Sequence, residues 1–246
     1  MPLTPSLHVA GSTHQVIVLQ NDSAAPAGLI GECLREAGFV LDVRRFDDGD
    51  EVPEGLSGYD ALIVLGGDMN VGEEMDYPFL LAERELMAEA VRTGLPTLGI
   101  CLGAQQLAAS GGGGVSRRAA TAFGWRPFAV ERVDDLLAGI DPDTLVFQWR
   151  DYACRLPGEA VLLASGDGDP QVFRLGRASW GVQFHPEVTI EILSDWFADD
   201  PKTVAHNAAG GLDGLLAETR RLLPASSALC RRLVANFLSA AGLASS

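Results

Sequence analysis

The chain has 246 residues, with Lys+Arg 18 against Asp+Glu 33 and a formal net charge of −15. Hydrophobic residues make up 47%, which supplies a core for one domain with additions, or for two small domains, and excludes global disorder. The acidic balance argues against nucleic acid or an anionic membrane as main partner, since both select clustered Lys and Arg, and no apolar run reaches the ~18 residues of a bilayer span.

Residues 1–13 carry two prolines and little pattern, and read as a mobile tail without the basic head and apolar stretch of a secretory signal. Strands and helices then alternate. Gln15–Gln20 is a β-branched run, residues 21–28 are turn-rich, and residues 29–37 have helical spacing that stops at Gly38. Residues 40–46 alternate, and an acidic loop follows over 47–55. Residues 61–65 form a continuous apolar run, as in a strand buried on both faces, and end at Gly66-Gly67. A helix is expected over Phe79–Thr93, closed by Gly94-Leu95-Pro96, then a buried strand over Thr97–Ile100 and a small-residue helix over 104–110. Residues 111–114, all glycine, read as a tight connection, because no Lys or Ser/Thr follows where a phosphate-binding loop needs them. Residues 128–183 are β-rich, with runs at 144–149, 161–164, 172–175 and 180–184. The chain is helical again from Thr189, with an amphipathic stretch over 222–243 broken at Pro224. The C-terminal helical section interleaves Leu222, Leu223, Leu229, Leu233, Phe237 and Leu238 with Arg220, Arg221, Arg231 and Arg232. It reads as packing on the sheet, a partner-binding face being the alternative. This order predicts an α/β fold, a mostly parallel open sheet with helices on both faces, then a β-rich second half and a helical C-terminal extension. The expected division is a tail over 1–13, one domain over 14–196 and an extension over 197–246 packed on that domain.

Cys33, Cys101, Cys154 and Cys230, and His8, His14, His185 and His206, are scattered without disulfide-framework or metal-ligand spacing. No metal site is expected, and the cytoplasm is the expected location. Chemistry concentrates in three segments. In Leu98-Gly99-Ile100-Cys101-Leu102-Gly103-Ala104-Gln105 a cysteine stands where a buried strand turns into a helix. Such an elbow strains the nucleophile's backbone, and glycines two positions either side let neighbouring chain pass close. The helix start aims free N–H groups and its positive end at the sulfur, which favours thiolate, and makes the Leu102 N–H an oxyanion donor. Taken alone, the same pattern also describes a buried structural thiol. In Gln183-Phe184-His185-Pro186-Glu187, extended chain would project His185 and Glu187 to the same side, so that Glu187 orients the imidazole toward a nucleophile. A solvated His and Glu at a strand end is the alternative. Gly66-Gly67, in Leu65-Gly66-Gly67-Asp68-Met69-Asn70, can present a backbone N–H to a pocket beyond the strand end, or be an ordinary turn.

Together these segments resemble the class I glutamine amidotransferase family over residues 15–187, nearest its stand-alone members related to the glutaminase domain of GMP synthase. The resemblance implies Cys101 as nucleophile, His185 as general base and acid, and Glu187 as its orienting carboxylate. It implies an oxyanion hole at the Gly67 and Leu102 N–H groups within the Gly66-Gly67 loop, and Gln105 as a contact to substrate glutamine. It implies no metal or organic cofactor. The chain departs from the family at Arg150, where a histidine is usual within Phe147-Gln148-Trp149-Arg150-Asp151, at Ala122-Phe123-Gly124, and at Asp68. The implied reaction is hydrolysis of the glutamine side-chain amide, with ammonia passed to a separate synthase subunit or acceptor enzyme, since the chain has no Gly-x4-Gly-Lys-Ser/Thr motif. Hydrolysis of a γ-glutamyl amide by the same residues, and a non-catalytic regulator that binds a metabolite or partner, are the competing readings. The sequence leaves the oligomeric state open.

Overall fold

Short apolar runs form the parallel centre of the fold. The structure is a computed structural model that describes residues 14–244, so the tail expected over 1–13 lies outside the described residues. Strands β1 (Gln15–Gln20), β2 (Val40–Arg45), β3 (Ala61–Val64) and β4 (Thr97–Ile100) pair in parallel. Every residue of β3 and β4 is buried, as continuous apolar strands covered on both faces must be. Helix α1 (Gly28–Glu36) covers one face, and α2 (Phe79–Thr93) and α3 (Leu102–Ser110) cover the other.

Apart from one separate two-stranded ribbon, the second half of the chain extends this sheet. Strand β5 spans Gly114–Arg126, β6 Ala129–Val130, β7 Val146–Arg155, β8 Val161–Gly166, β9 Asp169–Leu175 and β10 Ser179–Val182. The sheet order is β2-β1-β3-β4-β10-β9-β8-β6, with β10 parallel to β4 and the last three strands antiparallel. The expected mostly parallel α/β architecture is therefore the observed one. One element differs: β5, thirteen residues long, begins well before the β-rich segment expected from residue 128. It pairs only with β7, outside the main sheet, with a register shift between Arg117 and Ala122.

After β10 come α4 (Ile190–Asp199), α5 (Pro201–Asn207) and α6 (Gly211–Ala240). Thr189 caps α4 and Asp200 caps α5 through their side-chain oxygens. The break expected at Pro224 does not occur: α6 runs thirty residues through it. Proline removes one backbone donor and crowds the preceding turn. Here residues on both sides are pinned, Leu215 in an aromatic cluster with β5 and β7, and Leu229, Cys230, Leu233 and Phe237 against the sheet face that α1 also covers. Arg220, Arg221, Arg231 and Arg232 remain exposed. Among the described residues no helix is long and apolar enough to cross a membrane.

Candidate active site

The parallel pairing of β4 with β10 brings distant segments to one sheet edge. Gly99 faces Gly181 and Ile100 faces Val182, and the Cys101 N–H donates to Val182 O at 2.9 Å. Cys101 follows β4 directly, and His185 follows β10 after two intervening residues, so both stand beyond carboxyl ends of neighbouring strands, where open α/β sheets place their sites.

Cys101 has φ 50° and ψ −103°, a region that non-glycine residues occupy only under constraint. The constraint is close packing on both sides. A Cβ on Gly99 would lie 2.5 Å from Gly103 O, and one on Gly103 would lie 2.2 Å from Val64 O. Helix α3 starts at Leu102, two residues earlier than the sequence pattern suggested, so its first N–H groups open directly beside the sulfur. Among the described residues neither the Leu102 nor the Gly67 N–H has a protein acceptor. Gly66 lies against the same centre: a Cβ there would be 3.3 Å from His185 Cε1 and 3.6 Å from Cys101 Cβ.

His185 and Glu187 are buried, and His185 Nδ1 lies 2.7 Å from Glu187 Oε1. The contact expected from alternation along an extended strand is made differently, because β10 ends at Val182 and the pair sits in the turn that follows. Two backbone bonds fix this turn: His185 N–H donates to Phe147 O, and Leu29 N–H donates to Glu187 O, both at 2.9 Å. Gly28 permits the second, since a Cβ there would meet Glu187 O at 2.3 Å. Burial alone would lower the His185 pKa, but the Glu187 carboxylate and the Cys101 sulfur beside it override that, and the imidazole is held well above its ordinary value. The ring nitrogen not taken by Glu187 is left for the cleft. The Trp196 ring stands edge-on to the imidazole at 4.9 Å, anchored by its Nε1–H donating to Ala24 O at 2.6 Å.

Two lobes of one cleft meet at Cys101, Gly67 and Asp68. The first, about 170 Å³, contains His185, Trp149 and Trp196, with Asp22, Asp199 and Asp200 around it. Asp68 stands at its mouth, and lost hydration together with those three carboxylates pushes its own carboxyl up. The second lobe contains Leu102, Gln105, Asn70, Thr121 and Tyr152. Gln105 is buried and its Nε2 reaches Tyr152 O at 3.4 Å.

Arg150 lies in the wall of this second lobe. Its guanidinium donates to Tyr152 O at 2.9 Å, Gln148 Oε1 at 3.3 Å and Asp169 Oδ2 at 3.1 Å. Arg118, on β5, pairs with the same Asp169 carboxylate. Burial, then repulsion from Arg118, lowers the Arg150 pKa to about 10, so it stays cationic at neutral pH. Position 150 thus carries a fixed charge, tied to Asp169 on β9, which Arg118 on β5 also engages.

All seven residues singled out from the sequence (Cys101, His185, Glu187, Gly66, Gly67, Leu102 and Gln105) converge on this cleft or directly support it. Trp196 and the Arg118–Asp169 brace carry no signal in the sequence pattern. Trp196 offered no motif, only a tryptophan on an amphipathic helix just past Glu187. Among the described residues no group of three or more His, Cys, Asp and Glu is placed to hold a metal ion.

A family model described as glutamine amidotransferase class-I matches residues 25–196. The GMP synthase [glutamine-hydrolyzing] of Porphyromonas gingivalis strain W83 is 33% identical over 164 residues, 65% of this chain and 30% of that protein. The chain therefore spans about a third of the length of such relatives. A glutamine amidotransferase-like protein of Salmonella typhimurium is 27% identical over 180 residues, 70% of this chain and 75% of that one. The crystal structure of a glutamine amidotransferase from Thermotoga maritima superposes with a TM-score of 0.82 at 26% identity, covering 92% of this chain and 98% of that one. This chain belongs to the class I glutamine amidotransferase family.

Proposed function

We propose that this protein hydrolyses the side-chain amide of glutamine through a glutamyl thioester on Cys101. His185 takes the thiol proton, and the sulfur attacks the amide carbonyl, whose oxygen is stabilised by the Gly67 and Leu102 N–H groups. His185 then returns the proton to the departing nitrogen, which leaves as ammonia. Water, deprotonated by the same imidazole, breaks the thioester and releases glutamate and the Cys101 thiol. Glu187 holds the imidazole in orientation and stabilises its charged form. Gln105 and the Arg150 charge act on the glutamyl moiety in the second lobe. The observation that carries this reading is the Nδ1–Oε1 contact of 2.7 Å behind a ring that shares its cleft with a strained cysteine at the start of a helix. Every step uses protein groups and water. Ammonia passing to a separate synthase subunit, a cytoplasmic setting, and the division of the chain at residue 196 are part of the same proposal.

A second reading, hydrolysis of a γ-glutamyl amide, is favoured by the first lobe. His185 stands there, so the leaving group must occupy it, and about 170 Å³ exceeds what ammonia needs, one water-sized molecule requiring roughly 10–15 Å³. Its carboxylates and two indoles suit an amine that carries a second positive charge. Glutamate release from glutamine, and then from γ-glutamyl derivatives of a diamine and of a neutral amine, decides between the two. Turnover of glutamine supports the first reading and turnover of the diamine amide alone supports the second. No release from any substrate by folded protein whose Cys101 thiol is free and reactive contradicts both.

A further inference from the structure

Two stretches of chain far apart in sequence wall the first lobe. Asp22, Ala24 and Ala25 come from the loop between β1 and α1, and Trp196, Asp199 and Asp200 come from the end of α4 and the corner into α5. Among the described residues one side-chain hydrogen bond joins these two walls, Trp196 Nε1–H donating to Ala24 O at 2.6 Å. An indole has a single donor on a rigid ring, so this bond restricts where the ring can lie. Its plane stands at 76° to the His185 imidazole, with centroids 4.9 Å apart, and at 81° to Trp149, with centroids 6.1 Å apart. The imidazole has two other close neighbours. Glu187 holds Nδ1, and the Gly66 backbone lies along the Cε1 edge, where a Cβ would come within 3.3 Å. Of these three neighbours only Trp196 also borders the first lobe. Trp149 borders both lobes, whereas Trp196 borders the first without touching the second.

A nitrogen protonated by His185 departs on the side where the imidazole meets this lobe, so whatever that nitrogen carries lies against the residues around the ring. We propose that Trp196 is the specificity-determining residue of the reaction: clasped to Ala24 O, its indole closes one end of the first lobe and sets the largest amine that can leave past His185. The inference rests on the reading given above, hydrolysis of a γ-glutamyl amide, glutamine included. The clasp and the packing carry it together. One edge of the indole is tied to Ala24 O, and the ring is packed against His185, Trp149 and Phe147, so it cannot swing aside without giving up both. Because Trp196 has no place in the glutamyl lobe, its truncation changes which amines fit and leaves recognition of the glutamyl moiety to Gln105 and Arg150.

The test compares the full chain with W196A, W196F and W125F. Trp125 packs in the same aromatic cluster as Trp196 but lies outside the cleft, and its Nε1–H donates to Thr219 Oγ1. The substrates are glutamine and the γ-glutamyl amide of 1-naphthylmethylamine, whose fused rings match the indole removed. The ratio of kcat/KM for the naphthylmethyl amide to that for glutamine should rise by ~10–200-fold in W196A, the range that a single misfit group in a pocket produces. It should rise less in W196F, which keeps a smaller ring and loses the clasp, and stay at the wild-type value in W125F. Loss of packing alone lowers both substrates together and leaves the ratio where it was. An unchanged ratio in W196A, or an equal rise in W125F, therefore overturns the proposal. Binding reads the same selectivity without turnover. When W196A is added to C101A, the Kd ratio of the two compounds should move in the same direction, and an unchanged ratio there overturns the proposal whatever the activity. Full turnover by C101A overturns the catalytic reading while leaving the binding comparison standing. Binding of neither compound to C101A, with or without W196A, overturns both.

Discussion

Replacing Gly103 by alanine puts one methyl group where β3 and α3 touch. The new Cβ would lie 2.2 Å from Val64 O and 2.8 Å from Val64 C, while ordinary contact begins near 3.4 Å. Both neighbours are backbone, so no side chain can swing aside, and the first turn of α3 must withdraw from β3 by about 1 Å. Leu102 moves with α3 while Gly67 stays with the loop after β3, so the two oxyanion donors part by the same distance. A misplacement of ~1 Å at reacting groups costs about 100-fold in rate, and overpacking of this kind destabilises by about 1–3 kcal/mol. The expected result for G103A is a kcat near one hundredth of wild type, with a melting temperature lower by roughly 3–10 °C. Glutamate release from the favoured substrate and thermal unfolding measure the two effects. G158A, where a Cβ meets nothing within 4 Å, serves as the control. Full activity in G103A with an unchanged melting temperature would refute the argument that this glycine holds the elbow closed.

E187Q removes the carboxylate that raises the His185 pKa, so that pKa falls. kcat should drop by about 1,000–10,000-fold, as when an orienting carboxylate is neutralised in a triad, and a loss under tenfold contradicts the assigned role. R150M takes away the buried charge beside the glutamyl lobe and should raise KM for glutamine by roughly 10-fold. It should leave 4-aminobutanamide, which lacks the α-carboxylate, unaffected, and equal effects on both contradict a role in carboxylate recognition. Glu83, a fully buried carboxyl on α2, makes stability depend on pH. Its folded pKa of about 8 lies above the 4.5 of an exposed glutamate, so between those values the unfolded chain has released a proton that the folded chain keeps. Stability therefore falls as pH rises across that window, by on the order of 5 kcal/mol in all. Thermal unfolding from pH 5 to 9 should show a decline in the wild type that E83Q lacks in large part, and parallel curves count against it.

The parallel half of the sheet and the cleft were legible in the sequence because one-sided rules govern them. Strands buried on both faces have to be apolar throughout, as residues 61–64 and 97–100 are, apart from Thr97 and Gly99. A nucleophile at a sheet edge needs glycine where backbones cross, and Gly99 and Gly103 mark that crossing. Strand β5 was illegible because its stretch Ser116-Arg117-Arg118-Ala119-Ala120-Thr121 is mostly exposed and lacks alternation. Its pairing with β7, and a bulge that re-registers it, are tertiary facts. Pro224 misled for a related reason, as local propensity predicts a break that packing on both sides prevents. His185 and Glu187 meet as expected but around a turn, which the fixed bonds to Phe147 O and from Leu29 N–H impose from outside the segment. Arg150 was visible as a departure from the family, yet its brace by Arg118 and Asp169 required the sheet to be assembled.

The central claim is that one of four buried thiols, Cys101, is activated by His185 toward a γ-glutamyl carbonyl. Treatment with a chloroketone analogue of glutamine, followed by peptide mass mapping, tests it most directly. A single adduct on the Cys101 peptide is predicted, suppressed by excess substrate and slowed at least tenfold in H185A, with Cys33, Cys154 and Cys230 unmodified. Comparable modification of all four thiols, or an adduct on Cys101 whose rate is the same in H185A, would contradict it.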